Sequence, residues 1–388
     1  MKKIVLAYFN AGGGHRAAAR ALEDAIHHQS RPWRTELLDV DDVLETIDPL
    51  YRSTGVRGGD LYNWTLRRGW TAGSAQVIPL MHGMIRLLHS RQVKLLRAQW
   101  RALQPDLVVS VIPHLNRALY ESLRAEMPET PFVTLITDIA DYPPHFWFEP
   151  QAQHFICGSD IAVEQARAAG IENDQIWRVS GMILHPRFYQ QMAGDRAEER
   201  AKLGLDPHRP VGLALFGGNG SQSMFRIARL MAAAGTETQF IFLCGRNQAL
   251  LERLKNAKLP FRFHVEGFTE NVAHYMWLSD FLIGKPGPGS VSEALAMGLP
   301  VIVEGGIQTL AQERYNIQWI EEHGVGLRVR RWKELPEAVR SLLQPSTYHA
   351  MKQRIQALRN RAVFEVPDVL ERILSESTVP AYRKRLLG

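Results

Sequence analysis

Cysteine is scarce in this chain: Cys157 and Cys244 are the only two in 388 residues. Each closes an apolar, strand-like run, a placement that speaks against a disulfide framework or a thiolate metal site. Long apolar runs are missing too. None approaches the roughly 20 residues that a bilayer crossing requires, and the run 4–9 is too short, and too soon followed by glycine, for a secretion signal. The expectation is a protein of the reducing cytoplasm. No cluster of His, Cys, Asp and Glu has metal-site spacing, so no metal is expected.

Acidic residues vanish from one stretch. Between Arg67 and Arg101 there are seven Arg or Lys and not one Asp or Glu, with Trp70, Met81, Met84, Leu87, Leu96 and Trp100 among the apolar residues interleaved. This composition fits an interfacial helix on an anionic membrane surface. It equally fits a core helix whose cations are its solvated face. The formal charge of +6 favours anionic partners generally; nucleic acid is not expected among them.

The chain alternates strand-like and helix-like segments in two runs, the rhythm of parallel sheets. The first run places strands at 4–9, 35–40, 107–112, 132–137, 154–157 and 176–179, with a long excursion after the second. Residues 186–208 are polar, carry Pro186 and Pro207, and read as a linker. The second run has strands at 211–216, 239–244, 261–265, 281–283 and 300–303, and a helical tail. The expectation is an α/β chain of two Rossmann-like doubly wound domains, at 1–185 and 209–375, with a basic tail at 376–388.

Glycine-rich turns sit where strands give way to helices. Free N–H groups and the dipole at a helix N-terminus make such turns anion cradles. Gly287, Pro288, Gly289 and Ser290 form one, and Gly217, Gly218 and Gly220 another. Cys244-Gly245-Arg246-Asn247 offers a guanidinium at a third strand end, suited to phosphate oxygens or to stacking on a base. In the first run, Gly12-x-Gly14-x-x-Ala17 followed by Asp39 fits a loose dinucleotide fingerprint. A pyrophosphate approaching that backbone would meet His15, whose pKa range suits a general base instead. Asp39-Val40-Asp41 matches a metal-binding triplet too short to carry weight.

As a set, Gly12-Gly13-Gly14-His15-Arg16-Ala17, Val133-Thr134-Leu135-Ile136-Thr137-Asp138, Cys244-Gly245-Arg246-Asn247, Glu266-Gly267-Phe268 and Lys285-Pro286-Gly287-Pro288-Gly289-Ser290 with Glu293-Ala294-Leu295 resemble the monogalactosyldiacylglycerol synthase and processive diacylglycerol glucosyltransferase family. The resemblance runs through about 4–325. It implies the GT-B fold of glycosyltransferase family 28, with its two domains facing across a cleft. It also implies a UDP-hexose donor in the second half, a diacylglycerol acceptor at the first, and inversion without bound metal. By position, His15 matches the catalytic base, Arg246 and Phe268 the nucleotide pocket, 287–290 the diphosphate loop, and Glu293 the ribose carboxylate. Gln312 and Glu313, followed by Asn316, match the segment facing the sugar. Ala311 and Tyr315 stand where the family has glycines, which leaves the hexose open. The segment 141–148, with Pro143, Pro144, His145, Phe146 and Trp147, keeps the aromatic character of the family's acceptor side.

The resulting expectation is an inverting UDP-hexose transferase acting on a lipid, most simply 1,2-diacylglycerol, peripheral on the cytoplasmic membrane face. His15 takes the acceptor proton, Asp138 orients His15 or the acceptor, and the UDP-sugar is a substrate, with no cofactor. The alternatives are a UDP-N-acetylglucosamine transferase acting on another lipid, an epimerase of the same fold, a nicotinamide enzyme, and a non-catalytic membrane or nucleotide binder. Glu293 has a second reading of its own, since Ser290-Val291-Ser292-Glu293 also spells a capping box.

Overall fold

The computed structural model describes residues 1–9, 13–48, 51, 55, 74–142, 146–306, 309–310 and 313–377. Gly12, Trp70, Pro143, Pro144, His145, Ala311, Gln312 and the end of the tail lie outside the described residues. Two compact units emerge, one mainly from Met1–Leu61, Ala75–Pro186 and the stretch from Asn360 onward, the other mainly from Arg187–Arg359.

In the first unit, β1 (Lys2–Tyr8), β2 (Trp33–Asp39), β3 (Leu107–Ser110), β4 (Phe132–Leu135), β5 (His154–Cys157) and β6 (Ile176–Arg178) form a six-stranded sheet in the order β2-β1-β3-β4-β5-β6. Every pairing is parallel. All residues of β3 and β4 are buried, as expected of strands covered on both faces. The helix Gly14–His28 presents Ala18, Ala19, Ala21, Leu22, Ala25 and Ile26 inward, and small side chains let it lie close. Strand order reverses at β1, which puts a topological switch point beside the β1 turn.

The acid-poor stretch is a 30-residue helix, Ser74–Leu103. Its second half is core: Leu96 and Trp100 are fully buried, and the Trp100 indole donates to Ser122 Oγ at 2.8 Å. Its first half exposes Met84 and Leu87, the latter 81% accessible. The core-helix reading therefore holds for the second half.

The second unit repeats the plan with β7 (Val211–Leu215), β8 (Gln239–Leu243), β9 (Phe263–Glu266), β10 (Phe281–Gly284), β11 (Val301–Glu304) and β12 (Gly326–Val329), ordered β12-β11-β10-β7-β8-β9 and all parallel. Phe240, Phe242, Phe281, Ile283, Met224, Ile227 and Trp332 belong to its core. The switch point lies between β7 and β10. Strand β12 was not anticipated, because its four residues mix Arg328 with apolar neighbours at the sheet edge.

Two boundaries need correction. The helix Ala362–Ser377 belongs to the first unit, not to a domain running to 375. Gln29 donates to the Phe364 carbonyl at 2.9 Å, and Arg31 pairs with Asp368 and Glu371. Periodicity points to a helix there but not to the helix Gly14–His28 against which it packs. The expected linker is also structured, since the helix Arg196–Lys202 buries Arg200 against Asp280 at 2.9 Å within the second unit.

Candidate active site

In the first unit, Gly13 takes φ 83° as the N-cap of the helix that opens with exposed Gly14. His15 follows at the carboxyl edge of the sheet. Its Nδ1 lies 2.8 Å from the Val111 carbonyl just past β3 and 3.3 Å from Thr137 Oγ1. A carbonyl only accepts, so Nδ1 carries the hydrogen and Nε2 keeps the lone pair, the tautomer that a general base needs. Burial lowers the imidazole pKa from 6.5 to about 4, against the upward pull of the Val111 hydrogen bond. The group is therefore neutral throughout the physiological range.

Asp138 is tied to the tryptophan beside the imidazole. It accepts from the Trp147 indole at 2.9 Å, and the Trp147 ring stands 6.0 Å from the imidazole. The Val111 carbonyl orients the His15 ring, and Asp138 fixes the tryptophan beside it. Asp39 likewise has a local task, its Oδ1 accepting from the Asp41 N–H at 3.1 Å as a helix N-cap.

Around Phe146 gather the rings of His82, His114 and Tyr142, at centroid distances of 5.7, 4.1 and 5.3 Å. His114, at φ 70°, sits 2.9 Å from His82 of the long helix. Asp141 Oδ1 ties this segment together by accepting from the backbone N–H groups of Tyr142, Phe146 and Trp147. Sequence reading had noticed the aromatics but not the two histidines, which lie far apart in the chain.

In the second unit the glycine turns interlock. The Gly220 N–H donates to the Gly217 carbonyl at 3.1 Å, and the Arg246 N–H to the Gly218 carbonyl at 2.9 Å. Gly245 takes φ 58°, and a Cβ on it would stand 2.3 Å from the Gly218 carbonyl oxygen. Only glycine permits this approach. Arg246 then lays its guanidinium over the Phe268 ring at 3.9 Å, with Phe268 49% exposed. The arrangement makes a planar cation–aromatic platform at the ends of β8 and β9. Of the two roles the sequence offers Arg246, phosphate binding and stacking on a base, its ring contact with Phe268 accords with the second.

Gly287 caps the helix Pro288–Ala296, with Pro288 in its first turn and Gly289 and Ser290 contributing N–H groups that have no partner inside the helix. Ser290 therefore lies inside the helix, and the capping box fails: no side chain caps this end. The Glu293 carboxyl, half-buried one turn further on, is pushed up from 4.5 to about 7 by burial, eased slightly by Arg187. Glu313 is buried and pairs with Lys285 at 3.4 Å. Asn316 donates to the Pro286 carbonyl at 2.8 Å and so braces the loop from behind. Lys285 had been quoted within a motif without a role.

Among the described residues no group of three or more His, Cys, Asp or Glu is placed to hold a metal ion, and no helix is long and apolar enough to cross a membrane. Cys157 and Cys244 are free and buried, their thiols pushed up to about 12 by burial, which leaves neither as a nucleophile.

The monogalactosyldiacylglycerol synthase profile matches residues 15–182, and the glycosyltransferase family 28 C-terminal domain matches 213–373. Monogalactosyldiacylglycerol synthase 1 of Arabidopsis thaliana is 28% identical over 399 positions, covering 98% of this chain and 72% of that protein. The Spinacia oleracea synthase is 27% identical, covering 97% and 73% respectively. Among solved structures, the glycosyltransferase SnogD from Streptomyces nogalater aligns over 96% of this chain and 99% of its own, with TM-score 0.60 and 17% identity, a likeness of fold. The two matched domains, in chain order over two parallel six-stranded sheets, place this chain in the monogalactosyldiacylglycerol synthase family of family 28 glycosyltransferases, with the GT-B fold.

Proposed function

We propose that the enzyme transfers a hexose from a UDP-sugar to diacylglycerol, with inversion, as a peripheral protein of the cytoplasmic membrane face. The observation carrying the donor assignment is the set of interlocked glycine turns at the β7 and β8 ends beside the Gly287 loop after β10. Together they line a switch point with backbone donors, and the Arg246–Phe268 platform adjoins them for a base. Glu293 accepts from the ribose hydroxyls, and Glu313 serves the hexose. In the first unit, His15 Nε2 removes the acceptor proton as the hydroxyl oxygen attacks the anomeric carbon and the bond to UDP breaks. The exposed Met84 and Leu87 of the helix Ser74–Leu103 support membrane docking, because they share a face with Arg91 and Lys94.

The test offers UDP-galactose, UDP-glucose and UDP-N-acetylglucosamine in turn with vesicles containing diacylglycerol, and reads the lipid product. A glycosyldiacylglycerol from one of the first two is expected. Product from none of the three would overturn the reading, and an N-acetylglucosaminyl lipid would reassign the donor.

A further inference from the structure

We infer that Lys285 is the counter-ion of the donor diphosphate, and that taking up this charge releases Glu313 to the hexose. The inference rests on the donor-site reading above. Lys285 leaves β10 at the switch point, and its Cε lies 4.0 Å from where a Cβ on Gly217 would stand and 3.4 Å from that position on Gly287. The aliphatic arm thus runs between the two glycine turns, in space that side chains at either position would fill.

Backbone N–H groups and a helix terminus supply only about half a positive charge. A diphosphate carries considerably more negative charge than that and needs a cation. Arg246 is held over Phe268. The Lys285 ammonium, at the end of an arm 38% exposed between the turns, rests on Glu313 Oε1 at 3.4 Å in this structure. The Glu313 side chain is only 8% exposed. A carboxylate so enclosed is costly to leave unpaired.

One cation therefore faces two claimants. When a diphosphate draws Lys285 away, Glu313 loses its partner and must find hydrogen-bond donors, which the hexose hydroxyls supply at the sugar position and which UDP alone, with its donors on the ribose and uracil, does not bring there. UDP then binds against the cost of an orphaned carboxylate, and UDP-hexose does not. The pair makes Glu313 available to the sugar only when the leaving group is in place.

Calorimetry with uridine and UDP, on wild type, Lys285→Met, Glu313→Gln and the double variant, tests this. Lys285→Met should weaken UDP by about 10- to 100-fold, the range for a hydrogen bond to a charged group, with uridine changed less than about twofold. Glu313→Gln should tighten UDP several-fold in the wild-type background and leave it unchanged beside Lys285→Met. Lys285→Arg, which keeps the charge, should keep most of the UDP preference over uridine. A Glu313→Gln variant that binds UDP more weakly, or whose effect persists without Lys285, overturns the exchange. Loss of uridine and UDP binding from wild type would instead remove the nucleotide reading, and the exchange with it.

Discussion

Glu293→Gln separates folding from function more sharply than any other single change, because the structure gives the two effects opposite signs. The Glu293 carboxyl caps nothing and is pushed up to about 7 by burial. An acid whose pKa rises on folding contributes full stability below its unfolded value of 4.5 and loses it as pH climbs through 7. Were the group sealed from water, that rise would correspond to about 3 kcal/mol above pH 7. It is only half-buried, and solvent screening reduces the expected penalty to about 1–2 kcal/mol. The neutral amide removes it, so Glu293→Gln should melt a few degrees higher than wild type at pH 8 and alike at pH 5. Its UDP affinity at pH 8 should fall by about 1.5–3 kcal/mol, since an amide cannot accept from two ribose hydroxyls as a carboxylate does. Differential scanning calorimetry and titration calorimetry on the same samples read both quantities. A lower melting temperature at pH 8, or intact UDP affinity, would refute the reasoning.

His15→Ala should lower turnover by about 10²–10⁴-fold with UDP affinity nearly unchanged, measured by steady-state kinetics and calorimetry. Because burial holds His15 near 4, kcat/KM should show no acid limb between pH 6 and 7, and a limb there that disappears in the variant would contradict the assignment. Leu87→Asp, at an exposed position, should release the protein from anionic vesicles in sedimentation while leaving the melting temperature within scatter; triple reversal of Arg86, Arg91 and Lys94 to Glu should do the same. Gly245→Ala should abolish UDP binding in calorimetry, because its φ and its approach to the Gly218 carbonyl both exclude a Cβ.

Much of the fold was legible because buried parallel strands read as unbroken apolar runs, as in Phe281-Leu282-Ile283 and Val108-Val109. The glycine turns were legible for a related reason, since strand-to-helix turns that bring backbones together need glycine, as Gly245 does against Gly218. Partners brought together over long chain separations left no trace in local pattern. Val111 meeting His15, His82 meeting His114, and Arg31 meeting Asp368 all follow from sheet order, which periodicity does not encode. Glu293 misled in the opposite direction: four residues spelled a capping box, but Pro288 suits the first turn and starts the helix two residues before Ser290.

The histidine proposed as the base is held neutral, with a chemical consequence for the proposed transfer. Burial depresses His15 to about 4 and His114 to about 3, with His82 adding to the latter, and the hydrogen bond shown for Asp138 goes to Trp147, not to the imidazole. A base this weak gains little by taking a proton from an alcohol before reaction starts. Proton removal is therefore favoured only late, as the glycosidic oxygen bond forms and the acceptor hydroxyl becomes acidic. If backbone N–H groups and the proposed Lys285 counter-ion neutralise the leaving diphosphate, bond breaking would lead and deprotonation would follow. Under the proposed transfer, such a base would suit an acceptor hydroxyl that is not ionised beforehand, as the glycerol hydroxyl of the proposed lipid is.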